Sequence, residues 1–81
     1  MIHEYKDRDK YGRTCHHFEN SAPDRMVGGR RPHVVVVLLP KTVSGPRYLL
    51  NDWQVPASSD KELPRFATLA PARAEALRLI S

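Results

Sequence analysis

Val34-Val35-Val36-Val37-Leu38-Leu39 is the stretch whose reading decides the fold. Side chains branched at Cβ hold χ1 stiffly, so four consecutive valines fit a pleated strand better than a helix. Alternation along a strand sends Val34, Val36 and Leu38 to one side and Val35, Val37 and Leu39 to the other. No polar side is left, and both faces need cover. A chain of 81 residues with one good helix can cover one of them. The other is expected to be closed by the N-terminal hairpin, by a second copy or by another protein. An apolar sheet face or edge left open is a place for association.

Downstream of this strand, Pro40 and Lys41 to Pro46 form hairpin-loop chemistry, with Gly45 free to take a left-handed conformation. Arg47-Tyr48-Leu49-Leu50 then returns antiparallel. Asn51-Asp52 is either a two-residue turn leading to a further strand at Trp53-Gln54-Val55, or part of one strand running through to Val55. In both readings Trp53 joins the core. Residues 34–56 form the central hairpin or meander, and 57–67 are a polar loop. Residues 68–80 are a helix with Thr68 as N-cap and Pro71 in the first turn. At 100° per residue, Leu69, Ala72, Ala76, Leu77, Leu79 and Ile80 share one broad arc, opposite Pro71, Glu75 and Arg78.

Upstream, residues 21–33 are a loop rich in glycine and proline, preceded by the loop former Asn20. Residues 1–20 alternate weakly and turn at Asp9-Lys10-Tyr11-Gly12, which predicts a β-hairpin; the opposing reading is a polar arm that orders on a partner. The expected fold is therefore α+β, a single small domain: a small antiparallel β-sheet of three to five strands with one C-terminal α-helix packed on one face.

Composition narrows the functional classes. A domain of this size buries roughly 60–65% of its unfolded surface, so burial against a partner would help it. Net charge is +4, spread evenly along the chain, which favours acidic partners without a basic tail of the kind that wraps nucleic acid. The lone Cys15 excludes an internal disulfide and suggests a reducing compartment. The longest apolar run is only the valine stretch, so a signal peptide and a membrane partner are not expected, and the chain reads as cytoplasmic.

The densest reactive run is Cys15-His16-His17, with His3 and His33 elsewhere. Cys15 and His17 share a strand face and could meet His33 at a metal, but one cysteine and no paired ligand spacing argue for plain strand histidines. Neither metal nor cofactor is expected. A Cys15–His16 nucleophile fails because neighbours on a strand point apart. Gly28-Gly29 before Arg30-Arg31 lacks any phosphate-loop pattern, and Ser44-Gly45 lacks the nucleophile-elbow frame. An enzyme is not expected; the remote alternative is one in which Cys15 meets a histidine distant in the chain.

What remains is binding. Arg30, Arg31, Lys41 and Arg47 bracket the central hairpin, with Tyr48 nearby. Lys10, Tyr11 and Arg13 sit at the first turn, and Arg73 lies inside the apolar arc of the helix. The leading expectation is a small non-enzymatic protein that docks on a protein partner, an inhibitor or accessory factor of a nucleic-acid-handling complex of the kind phages and mobile elements carry. That expectation follows from size and profile. The alternative is direct DNA or RNA binding, with phosphates held by the basic residues and bases stacked on the tyrosines. A homodimer fits either.

Overall fold

The computed structural model describes residues 1–26, 28–52 and 63–81. Strands β1 (Ile2–Arg8), β2 (Thr14–Asn20), β3 (His33–Leu38), β4 (Tyr48–Asp52) and β5 (Arg65–Phe66) are followed by helix α1 (Leu69–Ile80). The strands form one antiparallel sheet in the order β1-β2-β3-β4-β5, so each strand pairs with its neighbour in the chain. The valine stretch lies at the centre, paired with β2 on one side and β4 on the other. This is the expected α+β architecture.

Turn chemistry explains the hairpins. Gly12 and Gly45 take φ of 78° and 81°, the left-handed region that their turns require. In the first turn the Asp9 carboxylate accepts from the Tyr11 and Arg13 backbone N–H groups, both at 2.9 Å. That is an Asx-type closure available to aspartate and few others.

Helix α1 covers the face on which Phe18, Val34, Val36 and Leu50 point. Its Ala72, Ala76 and Ile80 are buried there, with Tyr48, Phe66, Leu69, Leu77 and Leu79 packed around them. Small alanines at the contact let the helix axis come close, and Phe18 fills the space they leave. Thr68 takes the extended N-cap conformation, yet its side chain makes no capping bond. At the other end, the Asn20 amide donates to the Ile80 carbonyl at 2.6 Å, tying the last turn to β2.

Several expectations change. Of the two readings of Asn51-Asp52 the strand holds and the turn does not: both continue β4 opposite Val35 and Val34, because cross-strand pairing outweighs their weak strand preference. Arg65-Phe66, expected in a loop, forms β5 against Leu49 and Tyr48. Asn20, expected to open a loop, ends β2 and is buried. The expectations for Trp53 to Val55 lie outside the described residues.

The second face of the valine stretch also differs from expectation. The N-terminal hairpin does not fold over it but extends the sheet edgeways. Val37 on that face is 8% exposed, and beside it Leu39, Leu49 and Leu63 form a second buried cluster, with Val43 packed against it. Among the described residues, the large exposed apolar side chains are Met1, Ile2, Tyr5, Tyr11 and Met26, all outside the central strands. The apolar surplus of β3 is largely sheltered within the chain, so an open central face is not what this fold offers.

Candidate functional site: the free edge of strand β1 and the imidazole row beside it

Among the described residues, one edge of the sheet is long and bare. β1 has seven residues paired only with β2, whereas the opposite edge, β5, has two. Which backbone groups β1 presents follows from the hydrogen bonds at its ends. Ser21 N–H donates to Met1 O at 2.8 Å, and Asp9 N–H donates to Arg13 O at 3.1 Å. In an antiparallel ladder the mutually bonded pairs alternate. The odd-numbered residues of β1 therefore turn their amides toward β2. Ile2, Glu4, Lys6 and Arg8 turn theirs outward, with no strand among the described residues to receive them.

The side chains of the same strand divide by face. Ile2, Glu4, Lys6 and Arg8 stand on the helix side. Arg73 of α1 reaches across to Glu4 in a bidentate pair, 2.8 and 2.9 Å. That guanidinium holds the Glu4 carboxyl below its usual range, and the exposed pair adds little stability. Lys6 and Arg8 make no ion pair among the described residues, and with Asp7 and Thr14 they line a shallow depression of about 240 Å³.

On the opposite face His3, Tyr5 and Asp7 adjoin a row of rings. Tyr5 stacks on His17 with centroids 4.6 Å apart, and His17 lies 5.2 Å from the His33 ring. His17 Nε2 is 2.7 Å from Asp7 Oδ1, and His17 Nδ1 is 3.0 Å from His33 Nε2. A carboxylate only accepts, so His17 donates from Nε2; with both rings neutral, His33 Nε2 donates to His17 Nδ1. Two protonated rings would set donor against donor, so the row tolerates one added proton before that bond breaks. Register makes the row: His33 sits opposite Glu19, and His17 is its diagonal neighbour on the same face.

Burial pushes the His33 imidazole below its ordinary pKa; Glu19 pulls against this and His17 adds to it. His16, on the helix face, is lowered chiefly by burial and then by Lys6. Folded-state values below the unfolded value mean that the unfolded chain binds more protons as pH falls through about 6.5. Stability is thus complete above that pH and declines below it. Urea unfolding at pH 7.5 and 5.5 should give a smaller free energy at 5.5, with the difference reduced in a His16→Gln/His33→Gln variant. Equal values for the native sequence would contradict this assignment.

Cys15 lies on the same face but is buried, its thiol directed to Arg13 O at 3.6 Å. Burial, and after it Asp9 and Asp7, push the thiol up, away from the reactive thiolate. The sequence allowed Cys15, His17 and His33 to meet at a metal but favoured plain strand histidines; the two histidines do meet, and among the described residues no group of three such ligands is arranged around a common point.

The basic residues are dispersed. Arg30 and Arg31 precede β3 and Lys41 follows it, so they occupy opposite ends of a six-residue strand, roughly 20 Å apart at about 3.3 Å per residue. Arg47 donates from Nε to Leu39 O at 3.0 Å and closes the mouth of its turn. Tyr48 is partly buried, packed against the main core. Lys10 and Arg13 lie 5.2 and 5.3 Å from the Tyr11 ring centroid, with Arg13 also paired to Asp9. Arg73, read as part of the apolar arc, is exposed and engaged with Glu4.

Known proteins add nothing to this geometry. The chain matches no protein family, no curated protein and no solved structure. Among the described residues, no helix is long and apolar enough to cross a membrane. The β1 edge and the imidazole row went unnoticed in the sequence because both depend on strand order and register. The one available signal was the charge alternation of Glu4, Lys6, Asp7 and Arg8 on a segment already read as a strand.

Proposed function

We propose that this chain is a non-enzymatic protein-binding module that attaches to its partner strand to strand, through the outward amides of β1. The observation that supports this reading is the unequal pair of edges. A long edge with unsatisfied N–H and C=O groups is a template for an added strand; proteins that do not use such an edge commonly shorten, cover or charge it, and β1, though charged, is neither short nor covered among the described residues. Main-chain bonds would supply attachment, and the side chains of Glu4, Lys6 and Arg8 would supply choice. The cations Lys10, Arg13, Lys41 and Arg47 lie at one end of the sheet and suit a partner that is acidic or handles nucleic acid.

Lys6→Pro tests the idea. It deletes an outward N–H that the fold does not use, at an edge position where proline is tolerated. Affinity purification from the source cells, with nuclease added, should lose its partner with Lys6→Pro while circular dichroism stays native. Charge reversal at Arg30 and Arg31 should leave capture intact. Undiminished capture by Lys6→Pro would end the edge reading, and loss under nuclease would favour a nucleic-acid tether instead.

A further inference from the structure

We infer that the strand β1 receives is the β1 strand of a second copy, the two running antiparallel about a two-fold axis at Tyr5; this rests on the edge-pairing reading above. Phase comes first. The outward amides belong to even-numbered residues, so a symmetric antiparallel pair must set even residues opposite even residues. The well-overlapped registers that satisfy this are centred on Glu4, Tyr5 or Lys6.

Charge then separates them. Centring on Glu4 puts that carboxylate opposite itself, and centring on Lys6 does the same to an ammonium; like charges directly opposite are destabilising. Centring on Tyr5 sets Glu4 opposite Lys6 of the second copy, His3 opposite Asp7, and Tyr5 beside its own counterpart. Ile2, 43% exposed in the single chain, comes to lie opposite Arg8, next to the shallow depression lined by Lys6, Arg8 and Thr14. Lys6, which has no ion-pair partner of its own among the described residues, gains one.

Sterics allow it. Helix α1 packs on β2, β3, β4 and β5 and reaches β1 through the Arg73–Glu4 pair, so the edge stays open among the described residues. A two-fold axis normal to the sheet puts both helices on one face of a continuous double-width sheet and both imidazole rows on the other. Seven paired residues per copy make a small interface, so the affinity belongs on the order of micromolar.

Charge exchange is the test, with the mass measured by sedimentation velocity from about 1 µM to about 1 mM, a range set by that affinity. The native chain should pass from monomer to dimer. Glu4→Lys alone sets lysine against lysine, and Lys6→Glu alone sets glutamate against glutamate, so each should stay monomeric at least tenfold higher in concentration. Mixed together, the two variants restore opposite charges at every facing pair and should form a heterodimer. A native chain that stays monomeric throughout, or a mixture that fails to associate, overturns the second-copy assignment. In either case loss of partner capture by Lys6→Pro would leave the edge reading standing. Self-association that survives Lys6→Pro and both charge variants would put the contact elsewhere on the chain and overturn the second-copy assignment.

Discussion

Phe18→Ala should remove at least a quarter of the stability of this chain. Phe18 is fully buried among Val34, Val36, Leu50, Ala72, Ala76 and Ile80. Truncating a buried phenylalanine costs about 3–5 kcal/mol, combining lost transfer energy with the cavity left behind. The site has little means of collapsing, because the helix side is alanine and the strand side is β-branched valine locked in the sheet. A domain of this length has roughly 4–12 kcal/mol in total. The melting temperature should fall by more than about 12 °C, and urea unfolding should show the loss directly. A deficit under about 1 kcal/mol would mean that Phe18 does not fill the helix–sheet space as described.

Asn20→Leu should have the next largest effect, although it places an apolar residue at a buried position. The Asn20 side chain donates to Ile80 O at 2.6 Å and accepts from Ala22 N–H at 3.0 Å, and the residue is only 6% exposed. Leucine of similar size removes both bonds and orphans a helix-terminal carbonyl and a loop N–H, each worth about 1–3 kcal/mol when left unsatisfied. Hydrogen exchange should quicken first in the last turn of α1 and at Ser21 and Ala22. Unchanged exchange there would show that water replaces the amide without loss.

These two positions mark where sequence reasoning reached and where it stopped. Phe18 could be placed on one face of a strand, and the valine stretch could be placed between neighbours, because alternation and branching are local properties. The helix arc and the glycine turns were readable for the same reason. Asn20 was not, since asparagine after a strand ordinarily opens a loop, and only tertiary packing delivers Ile80 O to it. Leu63 shelters the second valine face from within a segment that reads as polar loop. β5 is too short to carry a period, and Asn51-Asp52 is strand only because Val34 and Val35 lie opposite. For the candidate site, residue identities were visible while their arrangement was not: pairing of His17 with His33 needs the β2–β3 register, and the status of β1 as an edge needs the strand order.

That strand order has a kinetic side. Every ladder in the sheet joins segments that follow one another along the chain, so none has to close across an intervening strand, and closure entropy rises only slowly with loop length. Assembly can thus spread outward from whichever turn forms first, whereas the return of α1 to β2 joins residues sixty positions apart and carries the larger closure cost. Until that return, Phe18 and its neighbours face solvent, and the nascent sheet is most vulnerable to unwanted association.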